Sequence, residues 1–211
     1  MAEGKFITFE GVEGSGKTHQ LGLLKSELER LGVPHIFTLE PGGTAFGQEL
    51  REVLLRTGGA SREPVSELLL YLADRYQHLN EVIHPALDRG IHVISDRYHD
   101  ATVVYQGYAR EIGLDLVEEL ASVLQIKTPD LTVVLDLEPE VGLERARARN
   151  WSEQTETLGR FEAEELEFHE RVRAGYRQLA EREPKRVVLV DADGSPEEVF
   201  ERILTVVRGL I

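Results

Sequence analysis

Residues Gly11 to Thr18 read Gly-Val-Glu-Gly-Ser-Gly-Lys-Thr and fit G-x-x-x-x-G-K-[ST], the pattern of a phosphate-binding P-loop. The pattern constrains the fold because it works only between a strand and a helix. Its glycines let backbone N–H groups turn inward around an anion, where a Cβ would clash. Lys17 sets a positive charge against β- and γ-phosphates, and the Thr18 hydroxyl suits Mg²⁺. The flanks agree. Lys5 to Glu10 is a short apolar run of β-formers, and Leu21, Leu24, Leu28 and Leu31 follow at helical spacing before Gly32. The positive end of that helix dipole then adds to the phosphate site. A Gly-rich turn with an exposed lysine would match the pattern but not the flanks. The loop implies a nucleotide and leaves the reaction open.

The 211 residues, 41% hydrophobic and 29% charged, suffice for one α/β domain with a sizeable core. There is no cysteine, which excludes disulfides, thiolate metal sites and a Cys nucleophile. A net charge of −14 argues against nucleic acid as the main partner. An acidic chain that binds phosphates must gather its cations locally, so the arginines carry the information. No signal peptide and no 18-residue apolar run are visible, so no membrane partner and a cytoplasmic location are expected.

Along the chain, apolar runs alternate with helical patterns. Strands are predicted at 35–39, 91–95, 131–136 and 187–191, besides the one before the P-loop. Helices are predicted at 46–56, from Pro64 to a kink or end at Pro85, at 100–108, 114–125, 139–149 and 161–183. A last helix is capped by Ser195-Pro196. Glu40-Pro-Gly-Gly-Thr44 is a turn, and polar residues 150–160 are expected to be a mobile loop. The alternation predicts a single three-layer α/β domain, 1–211, around a five-stranded parallel sheet.

Several constellations suggest chemistry. Asp96 closes an apolar strand, where a carboxylate can hold Mg²⁺ or merely cap a helix. Arg97 would point toward ligands at the carboxyl end of the sheet, and its fork suits a phosphate or a salt bridge to a neighbouring Glu. Tyr71 and Arg75 share a helix face and could stack on a base and bond its edge, though Tyr71 also fits a plain core position. Arg145, Arg147, Arg149 and Arg160 bracket the polar loop, as either a solvated basic face or a closing clamp on a phosphoryl group. The seven histidines are scattered, with no pair at metal-ligand spacing.

Together these segments resemble the bacterial thymidylate kinase family. The resemblance rests on Phe9 to Thr18, Glu40-Pro-Gly-Gly-Thr44, Ala73-Asp-Arg75, Asp96-Arg-Tyr98, Tyr105-Gln-Gly107, Pro129 to Leu137 and Arg171 to Tyr176, and it covers nearly the whole chain. It implies a P-loop kinase fold with helices on both sheet faces and a LID loop at about 145–161. It also implies a homodimer, with apolar helical faces around 65–83 and 100–125 as candidate interfaces. The implied reaction moves the γ-phosphoryl group of ATP to dTMP with Mg²⁺, giving dTDP and ADP for dTTP synthesis.

By matching position, Gly11, Val12, Glu13, Gly14, Ser15, Gly16, Lys17 and Thr18 would hold ATP, with Arg145 beside the adenine and Thr18 and Asp96 at the metal. Glu13, Arg51, Tyr71, Arg75, Arg97, Thr102, Tyr105 and Gln106 would hold dTMP. Lys17, Arg97 and Glu13 would act in catalysis. Because Glu13 stands where some members carry a P-loop arginine, the LID would supply that charge through Arg149 or Arg160. Leu39, His19 and Gly159 depart from frequent family residues. Two other readings stay open at this stage: a kinase for another nucleoside monophosphate, and a module that holds ATP without transferring phosphate.

Overall fold

The computed structural model describes residues 4–56, 61–152, 161 and 164–211, with the side chains of 149–152 left aside. Five parallel strands make one sheet in the order β2-β3-β1-β4-β5. They are β1 (Phe6–Gly11), β2 (His35–Leu39), β3 (His92–Asp96), β4 (Leu131–Asp136) and β5 (Val187–Asp191). β1 is buried along its whole length, as a central strand covered on both faces must be. Its side chains alternate. Phe6 packs with Leu79, Ile83, Ala86, Leu87, Val93 and Tyr98. Ile7 and Phe9 join the larger core with Leu21, Leu24 and Leu28 and with Val199, Ile203 and Leu204. The period of two thus places helices on both sheet faces. Register sets Phe9 beside Asp96 on one side and Val133 on the other, so the P-loop leaves the sheet next to the end of β3.

The helices are α1 (Lys17–Leu31), α2 (Ala45–Leu55), α3 (Pro64–His78), α4 (His84–Leu87), α5 (His99–Thr102), α6 (Leu114–Val123), α7 (Pro139–Ser152), α8 (Leu166–Arg182) and α9 (Pro196–Val207). Gly32 ends α1 at φ 68°, a left-handed position that glycine adopts without strain. Ser195 accepts from the Glu198 N–H while Glu198 reaches back to Ser195, a complete capping box at α9.

Where the elements differ from expectation, local chemistry explains it. α3 stops at His78 and becomes a π turn, Leu79–Ile83, in which the His84 N–H reaches back to Leu79 O. Pro85 then lies in the first turn of α4, where its missing N–H costs little. The 100–108 helix is a short α5 followed by a second π turn, Val103–Ala109. α6 ends before Gln125, which adopts φ 53°. α7 runs on to Ser152, so 150–152 are helical rather than loop. α8 begins at Leu166, not at Phe161, because Phe161 sits in a turn with its ring 5.2 Å from Tyr105 and stacked on Phe168. Residues 153–160 of the expected LID, Gly159 and Arg160 among them, lie outside the described residues.

One contact ties the P-loop to α7. A Cβ on Gly14 would collide with the Gly142 carbonyl, and a Cβ on Gly142 with the Glu13 carbonyl. Backbone therefore lies on backbone, with no side-chain layer between.

Candidate active site

The P-loop folds as its glycines allow. Gly14 and Gly16 take φ 70° and 88°. Gly16 is the N-cap of α1 and offers no side chain to the first N–H groups of that helix. Those donors are the ones an anion would satisfy. Ser15 Oγ is buried without a hydrogen-bond partner among the described residues. Lys17 is nearly buried and donates to Gly11 O at 3.3 Å. Burial, with Arg97 nearby, lowers its pKa. An incoming phosphate would reverse that penalty by restoring an opposite charge.

Arg97 follows β3 at φ 67°. Its guanidinium pairs with Glu13 at 2.6 Å, donates to Tyr105 Oη at 3.2 Å and lies 5.0 Å from the Tyr105 ring centre. The salt bridge is thus formed, and the same side chain lines a cavity beside the P-loop. Asp96 and Thr18 line one groove with Lys25, Thr38 and Arg51. They are hard oxygen donors, which suits Mg²⁺ whose other ligands are phosphate and water. Among the described residues no cluster of three His, Cys, Asp or Glu is placed to hold a metal by itself.

Beside the P-loop is a cavity of about 300 Å³. All eight residues assigned to dTMP by resemblance line it: Glu13, Arg51, Tyr71, Arg75, Arg97, Thr102, Tyr105 and Gln106. They come from the P-loop, α2, α3, the end of β3, α5 and the second π turn. The sequence reasoning missed Glu40, Pro41, Tyr98 and Phe161, which also line it. Glu40 and Tyr98 stand in segments already noted, but nothing local showed that their side chains turn inward.

Arg75 is fixed from three sides. Nε bonds Glu40 at 2.8 Å, one terminal nitrogen bonds Thr102 Oγ1 at 2.9 Å and the other Tyr98 O at 3.0 Å. Glu40 also accepts from His78 Nδ1 at 2.8 Å, and His78 Nε2 meets Thr38 Oγ1 at 2.6 Å. Asp74 accepts from the Gly42 N–H. Burial, with Glu40 adding to it, pushes the Asp74 carboxyl up to about 6. The Gln106 amide donates to Glu67 at 3.0 Å. Arg51 donates to Pro41 O at 2.7 Å.

Arg145 lies apart from this cavity, donating to Ala192 O at 3.4 Å and standing 3.8 Å from Asp193, beside the β5–α9 connection. The backbone of Arg149 belongs to α7, but its side chain, like all of Arg160, is outside the described residues. No helix among the described residues is long and apolar enough to cross a membrane.

A P-loop beside a largely apolar cavity that three arginines line, Arg51, Arg75 and Arg97, suits a P-loop kinase for a small phosphorylated acceptor. Comparison with known proteins narrows that class. The family model for thymidylate kinase matches residues 9–203. A thymidylate kinase of Solidesulfovibrio magneticus is 51% identical over 208 residues, 98% of this chain and 100% of that protein. One from Carboxydothermus hydrogenoformans is 50% identical over 208 residues, 98% of each. A crystal structure of thymidylate kinase from Ehrlichia chaffeensis superposes with a TM-score of 0.78 at 30% identity, covering 97% of this chain and 99% of that one. The chain belongs to the thymidylate kinase family.

Proposed function

We propose that this chain transfers the γ-phosphoryl group of ATP to dTMP, giving dTDP and ADP. The observation that carries the acceptor side is the convergence of all eight assigned residues on one cavity that meets the P-loop at Glu13 and Arg97. The acceptor phosphate has a second pKa of about 6 and is mostly dianionic at neutral pH, so it needs no general base. What the site must do is hold two polyanions in line against their repulsion. The P-loop N–H groups and Lys17 hold the donor phosphates. Arg97 leaves Glu13 in part to bridge acceptor and transferred phosphates. Tyr71 stacks on the base, Arg75 and Gln106 bond its edge, and Tyr105 packs against the deoxyribose where a 2′-hydroxyl would intrude. Arg51 reaches the acceptor phosphate.

Thr18 and Asp96 would hold Mg²⁺, which when bound neutralises phosphate charge. Arg149 or Arg160 would add positive charge to the transferring group, and Arg145 would flank the adenine. The whole chain acts as one domain with a LID at about 145–161, in a cytoplasmic enzyme.

ADP formation tests this reading, with ATP, Mg²⁺ and each of dTMP, dUMP, dCMP, dGMP, AMP, GMP, CMP and UMP supplied singly. Strong preference for dTMP is expected, with turnover abolished by EDTA. Preference for another monophosphate would overturn the Tyr71–Arg75 base assignment. ATP hydrolysis indifferent to every acceptor would leave a nucleotide-binding module. Turnover that survives EDTA would remove Thr18 and Asp96 from a metal role.

The functional unit is a homodimer. Val65, Leu69 and Tyr76 are exposed along one face of α3, and Val123 is exposed at the end of α6. Together they make an apolar stripe that a second copy would cover. Analytical ultracentrifugation should give a two-chain mass for the wild type and a one-chain mass for Leu69→Glu. A wild type of one-chain mass at micromolar concentration would sink the dimer.

A further inference from the structure

Glu10 is the residue before Gly11, at the end of β1, and it is completely buried. Its Oε1 accepts from the Tyr98 N–H at 2.9 Å and from the Ala101 N–H at 3.2 Å. Its Oε2 accepts from the Tyr176 hydroxyl at 2.8 Å. The N-cap residue of α5, Tyr98, makes no side-chain cap of its own. Glu10, on β1, therefore satisfies two of the N-terminal donors of α5, a task usually done by a local Ser, Thr or Asp.

The capped segment matters for transfer. Immediately before it stands Arg97 in a left-handed conformation disfavoured for any residue with a Cβ. Arg97 is held there by its N–H on Phe9 O at 2.9 Å and by Ser95 Oγ on its carbonyl at 2.7 Å. The segment ends in Thr102 and is followed by Tyr105 and Gln106, all three of which line the acceptor cavity. The strand that ends in the P-loop thus grips the acceptor segment through one carboxyl group.

We infer that Glu10 is a positioning residue for phosphoryl transfer: its carboxyl fixes Arg97 and the acceptor-facing turn in register with the P-loop. The inference rests on the kinase reading above. It concerns position rather than charge. The charged and titratable groups around Glu10 are Arg97 and Asp100 beside the turn, Tyr105 in the second π turn, Lys17 on α1 and Tyr176 on α8. Burial pushes its carboxyl up to about 7, with Arg97 opposing. In either protonation state Oε1 remains an acceptor. A proton on Oε2 is donated to the Tyr176 oxygen, whose hydroxyl then turns.

Two substitutions separate position from charge. Glu10→Gln keeps the acceptor oxygen in place and removes the charge. Glu10→Asp keeps the charge and withdraws the carboxyl by about one C–C bond, and a displacement of ~1 Å can cost about 10²-fold in rate. The assay measures kcat, KM for both substrates, and the share of ATP lost to water at saturating dTMP. Glu10→Gln should keep kcat within about threefold. Glu10→Asp should lose about 10–100-fold in kcat, keep KM for ATP within about twofold, and lose a larger share of ATP to water. A general structural defect would depress transfer and hydrolysis together. Wild-type behaviour of Glu10→Asp overturns the inference, as does an equal loss in Glu10→Gln. Should Glu10→Asp fail to fold, Tyr176→Phe frees Oε2 alone. It should raise the hydrolysed share with KM for ATP unchanged, and an unaltered share overturns the inference. Failure of the kinase reading is separate, since the wild type would then show no dTMP-dependent ADP.

Discussion

Lys17→Ala should lower kcat for dTMP-dependent ADP formation by about 10²–10³, the scale seen when one preorganised electrostatic donor is removed. The reason lies in its setting. Lys17 is nearly buried and its pKa is lowered by burial, so its ammonium is poorly solvated. Charge held in such a place needs no reorganisation when phosphate arrives, and little water competes with it. Removing it leaves the backbone donors to face the phosphates alone. The variant should stay folded, because among the described residues Lys17 donates only one long hydrogen bond, to Gly11 O. Circular dichroism beside the kinetics separates the two effects. Wild-type turnover would take the loop out of the mechanism. In the same assay Arg160→Ala should reduce kcat with little change in KM for dTMP, and an unchanged kcat would move that role to Arg149.

Arg75→Ala should damage acceptor use and stability together. Expected is a loss of about 10²-fold in kcat/KM for dTMP, with KM for ATP within about threefold. Without Arg75, buried Glu40 keeps only His78, while Thr102 and the Tyr98 carbonyl each lose a donor. Stranding one partner of a buried pair costs about 3–5 kcal/mol. For a chain of this size that corresponds to a fall in Tm of roughly 6–20 °C. Arg75→Lys should rescue little, because one ammonium cannot meet three partners in the geometry of a planar fork. Equal losses for ATP and dTMP would place Arg75 outside the acceptor site.

The sequence was most legible where a physical rule acts over a few residues. β2, β4 and β5 match their apolar runs, since a buried parallel strand has little room for anything else. The P-loop and the Ser195 cap are likewise local chemistry. Pro85 forced some break, but the π turn chosen to make it depends on packing against β3. Phe161 looked like the start of a helix and is instead drawn to Tyr105 and Phe168, which no neighbour in the chain announces.

The candidate site divides in the same way. Residue types and spacing, with the family resemblance, were enough to collect eight residues that line one cavity. They could not show that Glu40 joins Arg75 to His78, or that Glu13 pairs with Arg97 across 84 positions. Such partnerships exist only once the sheet order is fixed. Spacing had also left a salt bridge and a ligand role for Arg97 as alternatives, whereas the guanidinium makes the salt bridge and still lines the cavity, so the first does not exclude the second.

The contact between Gly14 and Gly142 gives α7 the mechanics of a lever. With carbonyl against α-carbon at that point, the helix cannot move closer to the P-loop, and any swing must turn about Gly142 as a fulcrum. The arm from there to Ser152 is roughly ten residues, about 15 Å at ~1.5 Å per residue. A rotation of about 10° would carry its far end about 3 Å, more than a hydrogen bond tolerates, while the pivot hardly shifts. A small rotation at the P-loop would thereby be magnified at the far end of the helix.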